Sequence, residues 1–299
     1  MKHLFGLVKR AIKIFYRTKG NIFFASLSVL ILIVLHIAVF RNMYTDNWVA
    51  ITAQFPEFSI GRENLAWIVD SLMFAAIIPI GAVTISLVAL GLMVEDKETN
   101  VLSDFLVSPI KRGSLLSSYL ASSFIVGFVI LLGYIVFFQI YFLLMYNISF
   151  SFTQFGLMLL TMVGSLVFAN IFMLLVVSFL KSQQSLGAVG TIIGTLIGFL
   201  SGAYIPVGSF GETVGNVLSS LPFLQITVLS RQAFLYELES ITPLTHEMIT
   251  GEISRSFGIE HWLGNTLIPM WATALISCGI TLILLVLLMI RFAKMKKAD

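Results

Sequence analysis

Few side chains in this chain are placed to do chemistry, and their arrangement excludes most kinds of it. The four histidines, His3, His36, His246 and His261, lie far apart and lack metal-ligand spacing. His246 and Glu247 could meet His261 outside the apolar runs, but surface residues without a common role explain them more simply. There is no Gly-x-x-x-x-Gly-Lys-Ser/Thr loop, so the chain lacks the phosphate cradle with which P-loop proteins bind and hydrolyse nucleotide. No Ser-His-Asp set stands in a recognisable nucleophile context, and no apolar run carries paired carboxylates. Catalytic residues and metal ligands are therefore expected to be none, and an integral-membrane enzyme is disfavoured.

These groups sit in a chain that is 58% hydrophobic and only 11% charged, where a soluble domain carries about a quarter charged residues. So little polar surface cannot cover a soluble globule, and the chain reads as an integral membrane protein. Six apolar runs reach the roughly 17 to 25 residues that cross hydrocarbon as a helix. They are Ile22 to Phe40, Ile68 to Val94, Leu115 to Met145, Phe155 to Leu180, Leu186 to Ile205, and Leu267 to Phe292. The runs are continuous rather than alternating, and backbone amides in lipid must be satisfied internally, so they are helices and not barrel strands. The expected fold is all-α: one polytopic domain over residues 1–299 with six transmembrane helices.

An even number of spans leaves both ends on one side. Lys2, Lys9, Arg10, Lys13, Arg17 and Lys19 precede the first run with no acid among them, and Arg291, Lys294, Lys296 and Lys297 stand at the end of the last run and after it. Both termini are expected in the cytoplasm, with the protein in the cell membrane. The same topology leaves only Arg41, Arg62, Arg231 and Arg255 of the 18 basic residues outside. The basic balance follows from that bias; no basic cluster interleaved with stacking aromatics suggests nucleic acid. The lone Cys278 falls in the last run, so disulfides have no role.

Ionisable residues within the runs are few, chiefly His36 and Asp70, both near outer ends. A proton- or sodium-coupled carrier usually needs a relay near mid-membrane, which is absent. Gln139, Tyr134, Tyr141 and Asn170 are the main polar groups deep in the runs. Hydrogen bonding between helices and lining of a pathway both suit them, and Gln139, Tyr141 and Asn170 are the pathway candidates. Gly190, Gly194, Gly198 and Gly202 recur every fourth residue, forming a ridge that suits close packing within one bundle or against a second copy.

Residues 1–21 read as an amphipathic helix in the inner headgroup layer, with Leu4, Phe5, Val8, Ile12, Phe15 and Tyr16 opposite Lys9, Arg10, Lys13 and Arg17. A plain basic topology signal is the alternative. Residues 95–113 form a charged island between the second and third runs. Val101, Leu102, Phe105 and Leu106 make a short apolar stripe, acids crowd its beginning, Pro109 ends it, and Lys111 and Arg112 follow. A helix of two to three turns fits, as does a solvated loop; if helical, it is too short to stand alone in water and needs a partner. Residues 206–266 are expected outside, first as a helical hairpin dipping into the outer leaflet, broken at Pro222, and then as a cap marked by Glu237, Glu239, Glu247, Glu252 and Glu260.

Glu98, Leu102 and the run Leu106-Val107-Ser108-Pro109, placed just after the second span, resemble a motif of the membrane permeases of type-two ATP-binding-cassette (ABC) transporters, chiefly bacterial exporters. Asn100 stands where that family usually has glycine and Val101 where it has threonine; Asn tolerates similar backbone angles. Ser201-Gly202-Ala203-Tyr204-Ile205-Pro206, followed by Leu221-Pro222-Phe223, is similar to the family's fifth span leading into its outer re-entrant hairpin. The resemblance implies a non-catalytic permease whose coupling helix uses Glu98, Val101, Leu102, Phe105, Leu106, Ser108 and Pro109. It also implies a cytosolic ABC ATPase that supplies ATP and Mg, a second permease subunit, identical or related, and an amphipathic or hydrophobic cargo. This chain itself is expected to bind no cofactor. Two rivals stay open: an ion-coupled carrier or channel, and a non-transporting sensor or immunity protein that sequesters an antibiotic peptide at the acidic segment 237–260.

Overall fold

The computed structural model describes residues 2–53, 61–108, 110, 112–236 and 252–294. Among them, six helices are long and apolar enough to cross a membrane, joined by short helices and one small hairpin. The chain opens with α1, Lys2–Arg17, whose Ala11 and Phe15 are buried and whose Leu7 and Ile12 pack on the core, while Lys9, Lys13 and Arg17 are exposed. Thr18, in an extended conformation, breaks α1 from α2, Lys19–Leu35. A π-helical stretch, His36–Phe40, carries α2 without interruption into α3, Arg41–Thr52. The first span therefore runs well past the end of the apolar run at Phe40. Its outer continuation is held by side chains that sequence hydropathy scores as polar, with Thr45 Oγ1 returning to Arg41 O at 2.6 Å and Trp48 buried.

The hub is α4, Arg62–Glu98, 37 residues and so about 55 Å long at about 1.5 Å per residue, far more than the roughly 30 Å of hydrocarbon. Its most apolar window is 89% buried, because α2, α6, α7, α8 and the outer hairpin surround it. The spans α6, Arg112–Tyr146, and α7, Phe152–Ser178, flank it. They approach through glycines outside the fifth-span ridge. A Cβ added at Gly81 would stand 2.8 Å from a Leu131 methyl, and one at Gly127 would stand 2.5 Å from Leu166. Small residues let helices touch where lipid gives no hydrophobic drive to associate.

Between α4 and α6 lies α5, Val101–Val107, set off by Asn100 in the left-handed region at φ 62°. The acids Glu95, Asp96 and Glu98, expected to open this short helix, belong instead to the last turn of α4; only Asp104 lies in the first turn of α5. The left-handed Asn100 makes the boundary, and composition alone does not show on which side of it an acid falls.

The fifth span, α8, Gln183–Leu200, ends before Gly202, so that glycine leaves the ridge and occupies a turn at φ 63°. A 3-10 turn, Val207–Phe210, leads into α9, Gly211–Ser220, and a 90° bend separates that segment from α10, Pro222–Phe234. Pro222 starts α10, where its missing N–H costs nothing. Then come α11, Glu252–Phe257, a two-stranded hairpin of β1, His261–Leu263, with β2, Thr266–Ile268, and the last span α12, Met270–Lys294. The acids between 237 and 251 lie outside the described residues. One end of the bundle gathers α1, α5, the starts of α6 and α8 and the ends of α4, α7 and α12; the α9–α10 bend, α11 and the β-hairpin lie at the other.

Candidate functional site

The short helix α5 sits on the bundle by one side chain and presents others outward. Leu102 is 6% exposed and joins the core, whereas Ser103 and Asp104 are exposed and Val107 is 78% exposed. Val101 and Phe105 are half-buried, and Phe105 packs on the core. Ser108 Oγ closes the helix by donating to Phe105 O at 2.7 Å. The side chain of Leu106, and Pro109 as a whole, lie outside the described residues.

A charge cluster pins α5 to α1. Arg10 donates to both oxygens of the buried Asp96 at 2.9 and 2.7 Å, a fork that matches a carboxylate in geometry as well as charge. Tyr119 at the start of α6 donates to the same Asp96 at 2.6 Å, and the Arg10 guanidinium lies 5.3 Å from the centre of the Phe105 ring. The Asp96 hydrogen bonds raise the Arg10 pKa further above its ordinary value, so the guanidinium keeps its charge. One turn of chain thus joins α1, α4, α5 and α6.

Next to Asp96, Lys97 turns the other way. Its Nζ donates to the carbonyls of Val177, Ser178 and Leu180 at 3.1, 2.9 and 3.1 Å, at the end of α7. The exposed Glu98 accepts from Gln183 N at 3.0 Å, at the start of α8, so its carboxylate is already engaged within the chain.

Toward the end of the bundle away from α5, Asp70 is fully buried and meets four polar side chains from two other spans. His36 Nε2 lies 2.7 Å from Oδ1, and Oδ2 accepts from Arg41 Nε at 3.2 Å, Tyr141 at 2.8 Å and Tyr146 at 2.5 Å. The cluster lies at the π-helical stretch, a kind of irregularity that concentrates at functional sites. Sequence reading placed His36 and Asp70 separately near outer ends; the fold brings them together.

The three pathway candidates do not converge. Gln139 Oε1 accepts from Phe150 N at 3.0 Å, Tyr141 binds Asp70, and Asn170 Nδ2 returns to Leu166 O at 2.8 Å. None of them lines the cavity of about 700 Å3 between α1, α2, α4 and α8, whose walls include Phe24, Ser28, Leu87 and Leu92. Of the ridge, Gly190 and Gly194 face that cavity, as does Gly187, while Gly198 is covered by the Tyr204 ring. Sequence alone marks Arg10 only as part of a basic flank and Asp96 and Lys97 only as part of the charged island, and gives Tyr119 no role. The available signal was charge in a chain that carries so little of it.

At the end of the bundle away from α5, a second cavity of about 450 Å3 is lined by Glu212, Asn216, Arg255, Glu260, His261 and Trp262, among others. His261 is buried between Thr273 Oγ1 and Ser219 O, each 2.9 Å away; burial lowers its pKa and the Ser219 carbonyl partly restores it. No group of three metal-ligating side chains occurs among the described residues.

The order of these parts, a hub span ending in a short exposed helix and a fifth span leading into a bent outer pair, agrees with a wider match. A family model of ABC-2 family transporter proteins covers residues 50–291. The chain belongs to that family. No curated protein sequence matches it. As an ABC-2 permease it is a multi-pass membrane component of an ABC transporter, a transport subunit from a family that works with an ABC ATPase. The family match begins within α3, so α1 and its Arg10 lie outside it.

Proposed function

We propose that this chain is the membrane-spanning subunit of an ATP-driven exporter. In this reading two permease subunits, identical or related, form the pathway, and a separate cytosolic ATPase, carrying ATP and Mg, seats on α5. The supporting observation is α5 itself: a helix too short to hold its shape in water, anchored on the core by Leu102 and braced by Arg10, yet leaving Val107 bare. Residues that line the groove partner are then Val101, Ser103, Asp104 and Val107, with Phe105 and Ser108 shaping the helix and Leu106 and Pro109 carried from the motif. Both termini are cytoplasmic, in keeping with the basic flanks of the first and last spans and with the gathering of α1, α5 and the end of α12 at one end. The apolar walls of the 700 Å3 cavity favour an amphipathic or hydrophobic cargo.

Val107→Asp puts a charge at the centre of the proposed contact, where interfaces are depleted of charge. We expect recovery of the ATPase with the purified permease to fall by about tenfold, the effect of about 1.4 kcal/mol. Undiminished recovery would overturn the assignment of α5.

The rival reading of an ion-coupled carrier draws on the buried His36–Asp70 pair, since an ionisable group within a span is a functional candidate. Against it, Asp70 is engaged between helices: Oδ2 accepts from Arg41, Tyr141 and Tyr146, and Oδ1 lies against His36 Nε2. Transport by the permease alone in vesicles, driven by an ion gradient, would favour that reading. The sensor reading rests on residues 237–260, most of which lie outside the described residues.

A further inference from the structure

We infer that Lys97 and Glu98 are positioning residues that make the turn between α7 and α8 travel with the coupling helix as one body. The inference rests on the reading of α5 as that helix.

The last carbonyls of a helix and the first amides of the next have no partners within their own helices, and the helix dipole favours a cation at the former and an anion at the latter. At residues 179–182 the chain leaves α7 and enters α8, and both unmet ends are met by neighbouring residues of a third helix. Lys97 supplies the cation to the carbonyls of Val177, Ser178 and Leu180, and Glu98 the anion to Gln183 N. A third tie runs the other way, from Gln183 Nε2 to Gly91 O at 3.1 Å. Ser182 caps α8 locally through Ser185 N, so the turn has a fixed shape before α4 grips it.

Glu98 and Val101 are separated by two residues, one of them the left-handed Asn100. A push on α5 therefore reaches Lys97 and Glu98 within a single turn of chain, and passes directly to α7 and α8 through five hydrogen bonds. The consequence falls on the cavity, because α4 and α8 both contribute to its walls. Without the two charged side chains, α4 could shift at its end while α8 stayed behind. Arg291 of α12 lies 4.8 Å from the Phe179 ring and brings the last span to the same turn.

The test uses the full chain with its ATPase in lipid nanodiscs, with Cys278→Ser and spin labels at the exposed Ser103 and Lys181. The distance between labels is read without nucleotide and with ATP and vanadate. In the otherwise native protein we expect it to stay constant to within about 2 Å, the scale of helix shifts in such transitions. In Lys97→Met combined with Glu98→Gln we expect it to differ between the two states by more than that, with the ATPase still bound. Lys97→Arg combined with Glu98→Asp should restore the single distance, which general loss of stability would not do. A native distance that changes with nucleotide, or a double variant whose distance stays constant, overturns the inference, and the native measurement needs no variant to fold. If the ATPase fails to bind even the native chain, the reading of α5 falls first and takes this inference with it; if it binds and the distance moves, only the inference falls.

Discussion

Asp70 shows how a side chain that is easy to see in a sequence can have partners that are not. It stands 34 residues from His36, 71 from Tyr141 and 76 from Tyr146, separations that follow no helical period. Its presence in an apolar run marked it as unusual, but only the crossing of three spans shows that four donors converge on it. The same holds for Arg10 and Asp96, 86 residues apart. Removing the acceptor strands its donors: Asp70→Ala leaves Arg41 and two phenols facing an empty site and should cost about 3–5 kcal/mol, the range for breaking a buried pair from one side. Tyr146→Phe deletes one donor and should cost about 1 kcal/mol. Unfolding of the purified protein in mixed micelles of rising denaturing-detergent fraction gives both numbers. Equal losses of about 0.6 kcal/mol would mean that the cluster acts as separate, ordinary hydrogen bonds between membrane helices.

Among the elements, the spans were legible because hydropathy over some twenty residues averages out local accidents, and their ends were not because an end depends on a few polar contacts. Asn100 was the better guide at the island: a residue that tolerates the left-handed region stands where the chain must reverse, and there it takes φ 62°. The acids beside it were assigned to the wrong helix for want of that boundary. The hairpin of β1 and β2 escaped notice altogether, since three-residue strands leave too short a pattern to read, and the left-handed Gly264 between them is one glycine among many. His261 fastens this hairpin to α9 and α12, and its lowered pKa makes the fastening sensitive to acid. A detached hairpin would hold its histidine at the ordinary value of about 6.5. The docked one binds a proton less readily, so docking is at full strength above about pH 6.5 and weakens as the pH falls toward the lowered value. Hydrogen exchange at residues 261–268, corrected for intrinsic rates, should quicken from pH 7.5 to 5.5 in the native protein. It should show no such step in His261→Gln.

For the molecule as a whole, burial is distributed unevenly, with α4 enclosed and the most apolar windows of α8 and α12 only 11% and 17% buried. Those outer spans must face lipid or another chain. The gathering of α1, α5 and the end of α12 at one end also fixes a relation that labelling can read. In a Cys278→Ser background, cysteine at Ser103 should react with an impermeant thiol reagent only from the cytoplasmic side of vesicles, and cysteine at Val214 only from the outside. Labelling of both from one side would dismantle the topology. Arg231, finally, is buried yet has no carboxylate among its hydrogen-bond partners in the described residues; it donates to the carbonyls of Leu72, Gly202, Phe257 and Gly258. Those four oxygens belong to the beginning, middle and late parts of the polypeptide. A nascent chain halted short of residue 257 would leave the guanidinium without half of these acceptors, so this end of the bundle closes around Arg231 only once α11 has been made.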